Sequence, residues 1–147
     1  MSHQPVRVQV VAGLVVAGMS WCAVASAADT STLVIRIKEP ASPKGQVRVA
    51  VHDSEKQWLK TPAYQTVLEA GEPILEWRIP DVPYGEYGVA IYQDENGNGK
   101  HDKNALGVPK EPYGFSNNAR GKLGPAKWKD AAFSVTAPTT ELDIEVQ

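Results

Sequence analysis

Six segments of this chain alternate apolar and polar residues with a period of two, and that alternation limits what the chain can fold into more than any other feature. In an extended strand successive side chains point to opposite faces, so such a pattern separates a buried face from a wet one. Leu33, Ile35 and Ile37 oppose Arg36 and Lys38, and Val47, Val49 and Val51 oppose Gln46, Arg48 and His52. Leu75, Trp77 and Ile79 oppose Glu76 and Arg78, while Tyr87, Val89 and Ile91 form a fourth set and Ala131, Phe133 and Val135 a fifth. The sixth is the clearest, Leu142, Ile144 and Val146 against Glu141, Asp143 and Glu145. A weaker seventh strand is expected over residues 64–69, after one helical turn within 54–60 that carries Trp58 and Leu59. Gly- and Pro-containing turns separate the segments at 40–45, 71–73, 80–85 and around Pro138. No long stretch has the helical period. The expectation is therefore an all-β chain, a single antiparallel β-sandwich of immunoglobulin-like type with about seven strands and one long ordered loop.

The first 27 residues break this pattern and read as a secretory signal. Arg7 supplies a basic start, 8–16 an apolar stretch, and Ala25, Ser26 and Ala27 the small residues that precede cleavage before Ala28. The apolar run is well short of the roughly 20 residues that span a bilayer, so no transmembrane segment is expected after cleavage. Cys22 is the only cysteine. Trp21 stands where a lipoprotein signal wants a small residue, which argues against lipid attachment. With Cys22 removed, residues 28–147 form one domain with neither a disulfide nor a thiolate metal site. About 120 residues suits a single core. The chain has 15 Lys and Arg, one of them Arg7 in the signal, against 17 Asp and Glu. That balance lacks the basic stripe a nucleic-acid partner would require.

One region departs from the alternation. Residues 97–129 contain no period-two segment and are rich in Gly, Asn, Pro and aromatics. Connections this long are uncommon in compact domains unless they are functional, ordered by a ligand or disordered. Leu106, Val108, Tyr113, Phe115, Leu123 and Trp128 supply more apolar surface than a solvated tail carries, so a loop packed over one end of the sandwich is expected.

That loop is entered through Asp94-Glu95-Asn96-Gly97-Asn98-Gly99-Lys100-His101-Asp102, with oxygen-bearing side chains at every second position. Such spacing suits a hard cation that wants six to eight oxygens. Counted from Asp94, Asn96 and Asn98 fall at positions three and five, Gly99 at six, the Lys100 carbonyl at seven and Asp102 at nine of a calcium-loop template. Ala105 stands at position twelve, where a bidentate glutamate belongs, and Glu95 or Glu111 could complete the shell if the loop curls back. The candidate Ca²⁺ ligands are therefore Asp94, Asn96, Asn98, Lys100, Asp102 and Glu111, with modest affinity expected. The same residues equally describe an Asn-Gly hairpin turn whose side chains bond its own backbone.

Further along, Tyr113, Phe115, Asn117, Asn118 and Arg120 combine aromatics, amides and a guanidinium. They suit a ligand-binding surface for a glycan or peptide. They also suit a structural role in which the aromatics plug the core and the asparagines cap loop backbone. For catalysis little is available. His52 and His101 are the only histidines beyond the signal, Ser116 lacks a G-x-S-x-G elbow, and no zinc-binding histidine motif occurs. A small hydrolase would need a carboxylate pair or a His-centred pocket.

The run Pro83-Tyr84-Gly85-Glu86-Tyr87-Gly88-Val89-Ala90-Ile91, the Asp94 to Asp102 loop, and Gly107-Val108-Pro109-Lys110-Glu111-Pro112-Tyr113-Gly114-Phe115-Ser116-Asn117-Asn118 together resemble an exported bacterial family, domain-of-unknown-function family 2141. The later 124–131 segment looks like its continuation, with Trp128 where phenylalanine is expected. The resemblance implies export and a β fold, and no activity. The Pro-x-Gly-x-Tyr run is also similar to small prealbumin-like sandwiches in adhesins and carboxypeptidase accessory domains. The expected function is a non-enzymatic binding or structural module, calcium-stabilised or calcium-capable. It would act in the periplasm or outside the cell on a protein, peptide or glycan.

Overall fold

The computed structural model describes residues 29–38 and 40–146; the expected signal peptide, with Cys22, lies outside the described residues. The chain is mostly β, with eight strands in two sheets among the described residues: β1 (Thr30–Lys38), β2 (Gln46–His52), β3 (Tyr64–Glu69), β4 (Ile74–Pro83), β5 (Gly85–Asp94), β6 (Tyr113–Phe115), β7 (Phe133–Val135) and β8 (Thr139–Glu145). One short helix, α1 (Trp128–Ala131), precedes β7, and single 3-10 turns occupy Glu55–Gln57 and Ser116–Asn118. No helix among the described residues is long and apolar enough to cross a membrane.

The period-two segments become strands because each has one apolar face to hide. A three-stranded sheet runs in the order β4-β1-β8, and a five-stranded one runs β3-β2-β5-β6 with β7 also on β5. Their facing sides share one core. Leu33, Ile35, Ile37, Ile79 and Ile144 come from the first sheet, and Val47, Val49, Val51, Val89 and Ile91 from the second. Chain crossings between the sheets are short. Between β4 and β5 only Tyr84 intervenes, and the Tyr87 hydroxyl donates back to the Pro83 carbonyl at 2.9 Å, bracing that corner.

Three expectations change. First, the pairing is not wholly antiparallel, because β8 lies parallel to β1, from Thr32 opposite Thr139 to Lys38 opposite Glu145. Alternation dictates which face of a strand is buried but not which neighbour it takes or in which direction. Second, the fifth segment begins at Phe133 rather than Ala131, because Ala131 closes α1 and packs with Phe115 and Ala126 in a second apolar cluster. Third, the turn expected over 80–85 is mostly strand: β4 continues through Pro80 to Pro83 beside β1, with a register shift between Ser31 and Leu33.

The long region is also ordered differently. It does not pack over one end but folds back across the outer face of the five-stranded sheet. Small outward residues on β5 make room for it. A Cβ on Gly88 would lie 2.8 Å from the Trp58 ring and 3.0 Å from the Trp128 ring, so only glycine lets both indoles reach the sheet. Ala90, on the same face, meets the cluster of Trp58, Phe115, Ala126 and Ala131. The Trp58 indole donates to the Ala126 carbonyl at 2.9 Å and meets Trp128 edge-on at 5.7 Å between centroids.

This arrangement splits one edge strand in two. β6 pairs with β5 at 90–92 and β7 pairs with it at 85–87, both antiparallel. The excursion 116–132, with the 3-10 turn and α1, projects from the gap between them. At the gap the buried Ser116 hydroxyl replaces the missing strand: it accepts from the Val89 amide at 2.9 Å and donates to the Ala131 carbonyl. A buried main-chain amide left without a partner is costly, and here one side chain removes the deficit.

Candidate functional site

The outer face of the five-stranded sheet is walled by two parts of the long region and by the segment before β3. Between these walls runs a groove of about 1200 Å³, floored by β2 and β5 through Ala50, His52, Ala90 and Tyr92. Leu59 and Val67 flank one side, Leu106 and Val108 another, and Leu123 a third. Among the described residues six large hydrophobic side chains are exposed, and all but Ile74 line this groove. Leu106 is 87% exposed and Leu123 104%. This corrects the expectation that Leu106, Val108 and Leu123 pack inward with Tyr113, Phe115 and Trp128.

Leu106 sits on a well-bonded tip. The Asn104 carboxamide oxygen accepts the amides of Leu106 and Val108 at 2.9 and 3.0 Å, and Lys103 bridges to Pro109 behind it. The second tip is a tight turn, where a Cβ on Gly121 would lie 1.9 Å from the Gly124 carbonyl oxygen. The chain thus holds apolar side chains out in water by built local structure.

The residues considered as calcium ligands form a hydrogen-bonded knot at the end of β5. Asp94 is buried beneath it, accepting the Gly99 amide at 2.7 Å, the Asn98 amide at 3.1 Å and the Arg48 guanidinium at 3.2 Å. Burial pushes the Asp94 carboxyl up, but the Gly99 amide, Arg48 and the Gly97 and Asn98 amides outweigh it and hold the group below its ordinary value. Asn96 Oδ1 accepts the Asn98 amide and Asn98 Oδ1 the Lys100 amide, each an Asx turn. The two carboxamide nitrogens converge on Asp102 Oδ2 at 2.7 and 3.0 Å. Glu111, buried, curls back: its carboxylate takes the amides of Glu95 and Asp102 at 3.2 and 2.9 Å. Its role here is to close the loop on itself. Among the described residues no group of three or more His, Cys, Asp or Glu side chains is placed to hold a metal.

The second candidate set is only partly brought together. Tyr113, Phe115, Asn118 and Arg120 line a small cavity of about 170 Å³ beside Glu145. Tyr113 and Phe115 also line the large groove. Asn117 faces elsewhere, its amide donating to the carbonyls of Ala132 at 2.9 Å and Asp130 at 3.3 Å. Asn118 accepts the Glu145 amide at 3.0 Å, tying the excursion to β8. Both asparagines have left-handed backbone, φ 59° and 49°, a conformation this residue type tolerates better than most.

The two histidines among the described residues are each held against an aromatic ring and a backbone carbonyl. His52 is buried, meets Trp58 edge-on at 5.2 Å and contacts the Thr61 carbonyl through Nδ1 at 3.2 Å. Burial lowers its pKa. His101 stacks on Tyr92 at 5.1 Å and contacts the Glu111 carbonyl.

Sequence reasoning missed the groove, though it quoted most of its apolar rim. The available signal was the placement of Leu106 and Leu123 among Gly, Asn and Lys, where a packed side chain has few apolar neighbours.

A family model, described as an uncharacterized protein conserved in bacteria and designated DUF2141, matches residues 35–143. Neither the curated proteins nor the solved structures provide a match.

Proposed function

We propose, for a chain that belongs to the DUF2141 family, an exported, non-enzymatic binding module whose ligand lies in the groove on the outer face of the five-stranded sheet. The observation that carries this reading is the convergence there of five exposed large hydrophobic side chains, from two loop tips, from β3 and from the segment before it. A contiguous exposed apolar patch is unusual on a soluble protein and marks an interaction site. The scaffold is a β-sandwich of immunoglobulin-like or prealbumin-like type. Two sheets over one core support that, as does the Tyr87 to Pro83 bond, the kind of tyrosine corner such sandwiches use. A non-catalytic role is supported by Ser116, which is buried and bonded on both sides, and by two histidines held against backbone carbonyls. Export rests on residues 1–27 and predicts that the protein recovered from cells begins at Ala28 by N-terminal sequencing. The groove is tested by Ala50→Trp, which places an indole on its floor. Lipid, glycan and peptide arrays probed with both proteins are expected to give a ligand that the variant loses; retention by a folded variant overturns the assignment.

A second reading concerns the loop. Asn96 and Asn98 already converge on Asp102, and turning the carboxamides, which opens the two Asx turns, would bring oxygens to the same point. We propose weak calcium binding there, in the range of about 10⁻⁴–10⁻³ M usual for extracellular modules. Five millimolar calcium is then expected to raise Tm by about 4–9 °C over chelator, and Asp102→Ala to abolish the shift. No shift in the unsubstituted protein overturns it.

A further inference from the structure

Resting on the groove reading, we infer the class of ligand: a single-chain amphiphile, an alkyl chain carrying an anionic carboxylate or phosphate head. The apolar half of the argument is the rim. Leu59, Val67, Leu106, Val108 and Leu123 are aliphatic and branched, the surface a hydrocarbon chain fills. A glycan instead needs open aromatic faces and paired amides and carboxylates. Here Tyr92 is stacked on His101, Tyr113 packs against His101 and Phe115, and Phe115 is buried; no carboxylate lines the groove. An extended peptide needs main-chain partners, which a sheet offers along its edges. This groove lies on a face, over β2 and β5, whose main chains are paired on both sides where it runs. An alkyl chain needs no such partners. The volume, about 1200 Å³, exceeds the roughly 1,000 Å³ at the top of the usual small-molecule range, which leaves length for an extended chain.

The polar half is the charge. The whole chain carries more acids than bases, yet Arg48, Lys60, Lys103 and Lys122 line the groove. Arg48 is neutralised by Asp94. The three lysines are exposed and make no ion pair among the described residues. Aliphatic walls with uncompensated ammonium groups are complementary to a hydrocarbon with an anionic head, and opposed to one with a cationic head.

The test is calorimetric titration of the protein recovered from expression of the full-length sequence. The ligands are dodecyl phosphate, dodecanoate, dodecyl maltoside and dodecyltrimethylammonium, each below its micelle threshold. Both anions are expected to bind one to one, at least about tenfold tighter than the cation. The combined Lys60→Gln, Lys103→Gln and Lys122→Gln variant is expected to lose that preference while keeping its affinity for the maltoside. Leu106→Ser with Leu123→Ser is expected to weaken all alkyl ligands by about tenfold. All substituted side chains are exposed, and circular dichroism checks that each variant is folded. Equal affinity for the cation, anion preference surviving the lysine changes, or full competition by inorganic phosphate would each overturn the inference. So would binding only to phosphatidylglycerol vesicles, which would make the ligand a lipid surface. If alkyl ligands fail but an array ligand is lost in Ala50→Trp, the ligand class falls and the groove stands. If alkyl anions bind Ala50→Trp as well as the unsubstituted protein, the groove reading and this inference fall together.

Discussion

The outer faces of the two sheets arise from the same period-two pattern and end in opposite states. On the three-stranded sheet most outward residues are charged and paired, across strands or, for Arg78 with Glu76, along β4, around the buried Val34. Arg36 bridges Glu76 and Glu141 at 3.0 and 2.9 Å, Arg78 joins Glu76 at 2.7 Å, and Lys38 meets Asp143 at 2.7 Å. Glu141 and then Glu76 raise the Arg36 pKa and hold it protonated, and Arg78 and then Arg36 lower that of Glu76. That face is finished by its own side chains and water. On the five-stranded sheet the outward residues at the centre are Gly88, Ala90 and Ala50, too small to finish anything, and the long region supplies aromatics instead. A sheet face made of small residues invites a cover, and a cover assembled from loops leaves gaps. The groove is such a gap.

The contrast can be broken most severely at Trp128. It is buried against Gly88 and Trp58, and Trp128→Ala is expected to cost about 3–5 kcal/mol in urea unfolding; a loss below 1 kcal/mol would mean that the cover is not part of the fold. Next comes Ser116→Ala, which strands the Val89 amide and the Ala131 carbonyl and is expected to cost about 1–3 kcal/mol. Amide exchange should rise first in 116–132.

Acidity should separate the faces by where stability is lost. His52, under the cover, has a folded pKa below its unfolded value of about 6.5. Its contribution is complete above that pH and declines as pH falls toward the folded value. Glu141 and Asp143, lowered chiefly by Arg36 and Lys38, lose theirs only below about pH 4. Tm measured from pH 8 to 3 should therefore fall in two steps, and His52→Gln should remove the upper one. A single step near pH 4 in the unsubstituted protein would refute the assignment. The smallest effect is expected at Arg36→Gln. Exposed pairs contribute little, so Tm should barely move and the residual change should vanish in high salt.

Much of the architecture was legible because alternation reports burial directly: Leu33 to Ile37, Val47 to Val51, Tyr87 to Ile91 and residues 64–69 all became strands as read. What alternation cannot encode is partnership. The direction of β8, and the division of one edge into β6 and β7, follow from contacts between residues far apart in sequence. The Asp94 loop was legible as oxygen spacing, but its hydrogen bonds depend on Arg48, 46 positions away. The groove was the least legible. Its walls come from the segment before β3, from β3 and from two loop tips, and no local period marks residues chosen to stay exposed.

The parallel pairing of β8 with β1 also governs when this fold can be completed. Ser31 and Thr140, hydrogen-bonded to each other, are 109 positions apart, and Ile144 on the last strand is fully inside the core. The first strand waits for the last. Pairing at such separation is slow to form, on the order of milliseconds to seconds, and until it forms β1 keeps an open edge that templates association. A chain growing from its N-terminus keeps that edge open until residues 139–145 exist.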